Sequence, residues 1–501
     1  MVDLHIIKIN NVYMKFNGDR GLLETIKQKY VFDSPNYKFD NRYQNGVWDG
    51  KIRLMKRNKM YIGLLSNCLD FLKQFNINIT YEGFEEDIYN IHPDITKEYI
   101  ENNQKKYSVS PFDYQLKGVQ IGLFKKRAVI ISPTASGKSF ILFMYIQYLL
   151  DKVLLKTDKI LLTVPSTSLV YQMQKDFIEY DLTKTIKDKI HIILGGHEKI
   201  NKDKQIYIST WQSLYTQETE YFHPFKVLIF DEVHGAKPST KKETGSLQYI
   251  AESCINAEWR LGVTGTLTEW KTHQYVVKGL FGNIYRLEKI SSLIQKNILS
   301  DLKIINIKLK YDEIDREVIY YTNYKKEIDF IISNKKRNTF IAKLAGTRDK
   351  NTLVLFHRKS MGTDIYKKLL KKYGNKKRIH YIDKDTKTEV REDIRSMCEQ
   401  DNINIMVASV QVFGTGINIR NLNYIILGHP GKGRVRLLQS IGRGLRKHKN
   451  KTICHIYDII DDLTFTGPKG KRYNYCMNHH FKRKKIYEKE NFNVIEKQID
   501  F

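Results

Sequence analysis

Three groups of residues in this 501-residue chain could do chemistry. The first is Ser132-Pro133-Thr134-Ala135-Ser136-Gly137-Lys138-Ser139, between the apolar run 128–131 and an apolar-rich segment, 140–155. A strand, a tight loop ending in Gly-Lys-Ser and a helix together cradle phosphate, because loop N–H groups and the helix N-terminus face the anion. Lys138 then reaches the outer phosphates and Ser139 offers its hydroxyl to Mg²⁺. Ser132 stands where the general pattern has Gly. The second group is Asp231-Glu232-Val233-His234, which directly follows the apolar residues 227–230. Carboxylates at the C-terminal end of a buried strand lie where an open α/β sheet binds its ligand. Asp231 is expected to hold the metal through water, and Glu232 to orient or deprotonate an attacking water. His234 either couples this site to a neighbouring segment or caps a turn. The third group is Gln439, Arg443 and Arg446 within 438–446. Arg443 and Arg446 are three apart, so on a helix they share a face. Two guanidiniums so placed can clamp a triphosphate bound by another domain; a solvated cationic helix is the alternative.

These groups need two sheets to position them. Short, β-branched, near-continuous apolar runs at 159–164, 190–194, 205–209, 227–230 and 260–264 predict parallel strands buried on both faces. Helix-length segments separate them, which predicts a doubly wound α/β domain over 106–300. The pattern restarts with strands at 303–309, 352–356, 378–382, 403–407, 424–427 and 452–456, giving a second α/β domain over 301–468. Residues 1–105 read as a small α+β domain, with a helix at 68–75 and a polar linker at 82–103. Residues 41–59 hold six Lys/Arg against one Asp, beside aromatics and the turn dipeptides Asn45-Gly46 and Asp49-Gly50. Trp48, Lys51 and Arg53 are therefore candidates for stacking on bases and neutralising phosphates; a core role for Trp48 is the alternative. Residues 469–501 read as a basic tail.

The formal net charge of +29 points to a polyanionic partner, nucleic acid ahead of an acidic membrane surface. Lysine enrichment from an AT-rich genome is the alternative source of that charge. Five scattered cysteines, with no Cys-x-x-Cys pair, support neither a disulfide framework nor a zinc site and fit a reducing compartment. The most apolar window, 140–155, is interrupted by Gln147, Asp151 and Lys152 and is too short to span a bilayer.

In this order the motifs resemble those of the superfamily 2 helicases over 106–468. Residues 132–139 match motif I and Asp231–His234 motif II. The resemblance implies two tandem RecA-like domains with ATP and Mg²⁺ between them. It assigns Gln115 to the adenine. The nucleotide contacts are then Pro133, Thr134, Ala135, Ser136, Gly137, Lys138, Ser139 and Gly416, with the metal on Ser139 and Asp231. Pro165, Ser166 and Thr167 match motif Ia, and Thr210 with Trp211 motif Ic, both contacting a nucleic-acid backbone. Thr264-Gly265-Thr266 stands at motif III, linking hydrolysis to strand handling. His357 in motif IV and Thr415 in motif V are further backbone contacts, and Gln439, Arg443 and Arg446 belong to motif VI. Asn418 departs from the Asp common in motif V.

A narrower resemblance, to a phage branch of the superfamily, rests on 45–54, Gly63-Leu64-Leu65, Thr264–Leu267 and 440–448. It implies action on branched DNA and R-loops in recombination, repair and fork remodelling. It also implies a monomer or weak oligomer in the host cytoplasm, alongside single-strand-binding or recombination proteins. An RNA helicase, a duplex translocase that separates no strands, and an ATP-switched nucleic-acid scaffold are the alternatives.

Overall fold

The structure is a computed structural model that describes residues 2–35, 37–84, 93–195, 201, 203–236, 245–401, 403–415, 419–429, 431, 437, 441–468 and 470–501. The chain divides into two compact units, Met1–Ser132 with Gly137–Leu287, and Pro133–Ser136 with Glu288–Phe501.

The first unit contains a seven-stranded, all-parallel sheet. Its order is Asn283–Arg286, Arg127–Ile131, Trp259–Thr264, Phe225–Asp231, Lys159–Val164, Ile206–Thr210, Ile190–Ile193. Successive side chains on a strand face opposite ways, so an unbroken apolar run supplies two cores. Ala128 and Ile130 pack with Phe140–Leu149 of the helix Lys138–Lys152 and with Val170 and Phe177 of Thr167–Tyr180. Val129 and Ile131 face the other way, toward Leu247 and Ile250 of Ser246–Ser253 and Val276 and Leu280 of Lys271–Phe281. The segment expected to be a linker contributes to the first core. Pro93–Asn103 is a helix, its Tyr99 and Ile100 are buried there, and the Tyr99 hydroxyl donates to Asp151 at 2.5 Å. Polar composition hid it, because two apolar side chains are enough to dock it.

The small N-terminal domain is a mixed four-stranded sheet ordered Lys59–Tyr61, Tyr13–Gly18, Val2–Lys8, Ile77–Glu82. Asp19 caps the helix Arg20–Lys29, accepting from the Leu22 N–H at 3.0 Å, and Leu22, Leu23 and Ile26 are buried. A second helix, Leu65–Leu72, starts three residues earlier than expected. Leu4, Phe16, Met60 and Leu64 lie in one continuous core with Val276, Leu280 and Phe281, so this domain is fused to the α/β sheet. Gly63 makes the close approach possible: a Cβ there would lie 2.3 Å from the Lys278 carbonyl oxygen.

The second unit is also a seven-stranded, all-parallel sheet. Its order is Arg378–Ile382, Asn404–Ser409, Thr352–Phe356, Tyr424–Leu427, Ile453–Asp462, Asp301–Lys310, Val494–Asp500. The two doubly wound sheets and the small α+β domain are as expected. The basic tail is not a tail: Val494–Asp500 is an edge strand paired in parallel with Asp301–Lys310. The helix before it, Tyr475–Lys489, is pinned by Arg483, whose Nε and Nη2 lie 2.8 and 2.9 Å from the buried Asp458 carboxylate. Its charge pattern reads as solvated, but Cys476, Met477, Ile486 and Tyr487 are buried.

Candidate active site and nucleic-acid surfaces

The phosphate loop leaves the strand Arg127–Ile131 at Ser132, whose N–H donates to the Thr264 carbonyl at 3.0 Å. Ala135 and Gly137 adopt left-handed backbone, with φ of 69° and 76°. That reverses the chain so that the helix Lys138–Lys152 begins directly at the loop, with its N-terminus beside it. Gly137 is required twice, because a Cβ there would also lie 2.4 Å from the Gln115 Nε2. Gln115 is buried and its Oε1 accepts from the Phe112 N–H at 2.9 Å, which holds the amide against the loop. Ser136 Oγ donates to the Pro133 carbonyl at 2.6 Å and closes the turn. Lys138 Nζ lies 3.4 Å from the Ser132 carbonyl, and Ser139 Oγ pairs with the Tyr180 hydroxyl at 3.0 Å.

Asp231 ends the strand Phe225–Asp231, and Glu232 turns the chain at φ 57°, a conformation that costs a non-glycine residue about 1–3 kcal/mol. The turn brings Glu232, His234 and Thr264 together. Thr264 Oγ1 lies 2.9 Å from Glu232 Oε2 and 2.9 Å from His234 Nδ1, and His234 Nδ1 is 3.0 Å from the same Glu232 oxygen. Thr264 also lies 2.9 Å from the Thr266 carbonyl, so its single proton has two acceptors to choose between. Burial, and then the Glu232 charge, push the Asp231 carboxyl up to about 7. Burial raises Glu232 too, but His234, Lys138 and Thr264 outweigh it and hold the carboxyl at about 2. The pair therefore separates into an ionised Glu232 and an Asp231 short of compensating positive charge. A hard divalent cation takes hydroxyl and carboxylate oxygens, and Ser139 with Asp231 supplies that donor set, so these residues fit Mg²⁺.

The loop 132–139, residues 165–167, Thr210–Trp211, Asp231–His234 and Thr264 all follow the C-terminal ends of parallel strands, so the first sheet presents them along one edge. There Ser166 Oγ bonds Ser168 Oγ at 3.0 Å, and Thr210 caps the short helix Trp211–Leu214. Trp211 is partly buried against the core. Thr264 as the hub of the carboxylate site and Tyr180 as partner of Ser139 were missing from the expected site residues. The Thr-Gly-Thr segment signalled the first; nothing local signals the second.

In the second unit, His357 is exposed just after the strand Thr352–Phe356. Thr415 ends the helix Val410–Thr415, and only its backbone is described. Gly416 and Gln439 lie outside the described residues. Arg443 is on helical backbone with residues 441–444, but Arg446 is past the helix end, so the two do not share a helix face. At the helix exit the Ser300 N–H donates to the Leu445 carbonyl at 2.8 Å and its Oγ to the Arg446 carbonyl at 3.3 Å.

Trp48 is half-buried and is not core. Its Nε1 donates to the Lys51 carbonyl at 3.1 Å, and the Arg42 guanidinium lies 4.8 Å from its ring centre. Arg53 pairs with Asp49 at 2.5 Å. Trp48, Lys51 and Arg53 line a cleft of about 1030 Å³ that also takes in Lys56, Lys59 and Glu252. All five cysteines are free and buried. No helix among the described residues is long and apolar enough to cross a membrane.

Three family models match the chain: "Type III restriction enzyme, res subunit" over 96–269, "Helicase conserved C-terminal domain" over 335–448 and "DNA helicase UvsW, N-terminal" over 3–82. The ATP-dependent DNA helicase uvsW of Enterobacteria phage T4 is 30% identical over 508 residues, covering 97% of this chain and 98% of that protein. The DNA 3'-5' translocase XPB2 of Sulfurisphaera tokodaii is 26% identical, covering 68% and 80%. The crystal structure of T4 UvsW superposes with a TM-score of 0.50 at 29% identity, covering 99% of both chains.

Proposed function

The chain belongs to the superfamily 2 helicases, as a relative of T4 UvsW, and on that premise we propose that it is an ATP-driven motor on branched DNA and R-loops. Its activity as an ATP-dependent helicase follows from the family; the substrate is the proposal. The observation that carries it is the fusion of the basic, Trp48-bearing domain to the core behind the carboxylate site. A substrate-selecting surface so joined moves with the first motor domain and can present a junction to it.

Lys138 and the loop N–H groups bind the outer phosphates and Gln115 reads the base. Glu232, kept ionised by His234 and Thr264, takes the proton of the attacking water. Mg²⁺ held by Ser139 and Asp231 would neutralise charge building on the phosphates. Arg443 and Arg446, with Gln439 and Gly416, are the further residues of this reading that act on the transition state. Pro165, Ser166, Thr167, Thr210, Trp211, His357 and Thr415 grip the backbone, and a difference in nucleotide affinity between closed and open states turns hydrolysis into stepping. The enzyme acts in the host cytoplasm, where its five thiols stay reduced.

The test is ATPase and unwinding across forks, Holliday junctions, R-loops, linear duplex and duplex RNA. Branched DNA and R-loops should be turned over first. Preference for duplex RNA, or stimulation without strand separation, would replace this substrate class. Arg443→Ala should reduce hydrolysis by about 10³-fold or more while nucleotide binding changes little; equal losses would make Arg443 structural.

A further inference from the structure

The strands Asp301–Lys310 and Ile453–Asp462 pair in parallel along their whole length and so end at the same edge of the second sheet. From the first, the chain continues into the helices Glu313–Tyr320 and Tyr324–Ser333. From the second, it forms the hairpin Phe465–Gly467/Gly470–Arg472 and then the helix Tyr475–Lys489. A cleft of about 600 Å³ lies among these elements. Tyr321, Tyr473 and Tyr475 line it and are 66%, 43% and 37% exposed, and Lys326 and Arg472 line it too. None of its described lining residues carries a carboxylate.

The rings are held in place. Tyr321 packs edge-on against Tyr320 with centroids 5.0 Å apart, Tyr475 against Tyr324 at 5.6 Å and Tyr473 against Phe481 at 5.2 Å. Arg472 ties the hairpin to the turn at 320–322 through the Tyr320 and Thr322 carbonyls, and its guanidinium lies 5.2 Å from the Tyr475 ring centre. The Lys471 ammonium lies 5.1 Å from that of Tyr473.

We propose that this cleft is a base-stacking subsite for single-stranded nucleic acid. Exposed aromatic rings fixed by packing, beside cations and without a carboxylate, are what stack successive unpaired bases and neutralise their phosphates. A paired duplex offers no free base face to enter such a cleft. The strands bearing His357 and the helix Val410–Thr415 run parallel to these two in the same sheet, so the cleft continues the edge that they occupy. The subsite rests on the motor reading and gives it a place to hold the strand once it is separated.

The test uses the full chain with fluorescein-labelled oligothymidylate, blunt duplex as the contrast, and ATPase measured without nucleic acid. Tyr321→Ala/Tyr473→Ala should weaken oligothymidylate binding by about tenfold or more and leave duplex binding and basal ATPase unchanged. Tyr321→Phe/Tyr473→Phe should bind within twofold of wild type. Unchanged single-strand affinity in the alanine variant, an equal loss for duplex, or an equal loss in the phenylalanine variant would overturn the subsite. Wild-type chain photo-crosslinked to iododeoxyuridine-substituted oligonucleotide avoids any folding defect: adducts at Tyr321, Tyr473 or Tyr475 are expected, and adducts confined elsewhere overturn it. Absence of nucleic-acid-stimulated ATPase in wild type would sink the motor reading. Stimulated wild type with indifferent tyrosine variants would sink the subsite alone.

Discussion

Asp461 and Asp458 in the second unit and Asp231 in the first are shielded carboxylates on the strands Ile453–Asp462 and Phe225–Asp231, but their partners differ. Arg337 grips Asp461 with two hydrogen bonds, at 2.6 and 2.9 Å, and the Tyr311 hydroxyl adds a third at 3.0 Å. Asp458 receives Arg483 twice and the Tyr487 hydroxyl at 2.9 Å. Asp231 accepts the Glu232 N–H at 3.1 Å and, among the described residues, no guanidinium. Charges matched by bidentate arginine hold an architecture together. A carboxylate left under-compensated keeps unfavourable energy that a bound cation can release, which is how ligand sites are built.

The largest effect should come from breaking the first side of that contrast. Lys138→Ala or Glu232→Gln should cut nucleic-acid-stimulated ATPase by about 10²–10⁴-fold while DNA binding and melting temperature stay near wild type. Comparable turnover in either variant would remove Glu232 as the base or Lys138 as the phosphate ligand.

Asp461→Asn should do the reverse. Leaving Arg337 buried against a neutral amide should destabilise the second unit by about 3–5 kcal/mol, read by denaturant melting. A loss below about 1 kcal/mol would mean that the pair is not what holds the strand and helix together.

Asp231→Asn sharpens the contrast through pH. In the nucleotide-free fold the Asp231 carboxyl is raised to about 7, whereas the unfolded chain titrates near 3.8. Between those values the unfolded state has lost the proton and the folded state keeps it, so this group makes stability fall as pH rises, with no further change above about 7. The variant should therefore melt higher than wild type, by a margin that grows from pH 5 to pH 7.5, while its hydrolysis is lost. A constant margin, or a variant that melts lower, would contradict the assignment.

The smallest effect concerns the seam beneath the N-terminal domain. The Tyr61 hydroxyl donates to Glu252 and accepts from Gln248 Nε2 at 3.0 Å. Tyr61→Phe should cost about 1 kcal/mol by denaturant melting, since the apolar packing remains. A loss of several kcal/mol would place Tyr61 with the buried ion pairs.

Much of the candidate site was legible before the fold. Residues 132–139 and 231–234 carry their chemistry in local order, because a phosphate loop and a strand-end carboxylate need only a strand, a turn and the residues beside them. The strands expected at 352–356, 378–382 and 424–427 match to the residue; 352–356 and 424–427 are near-continuous apolar runs, which a sheet covered on both faces absorbs, while 378–382 is an edge strand with a mixed pattern. Two polar segments conceal their docking for a shared reason. Residues 93–103 and 475–489 look solvated because their polar residues outnumber the few that dock, and composition averages over both faces of a helix. Arg446 lies past the helix end because the chain leaves the helix after 444, where Ser300, distant in sequence, bonds the Leu445 and Arg446 carbonyls.

The sequence alone determined the two sheets and the strand-end positions of residues 132–139 and 231–234, since each follows from periodicity or short spacing. Only the tertiary structure decided that the basic N-terminal domain and the C-terminal segment are built into the two cores. Only it placed Thr264 between Glu232 and His234 and gathered Tyr321, Tyr473 and Tyr475 into one cleft. Alternation says that a face will be buried; which face it meets depends on shape and volume across segments far apart in the chain.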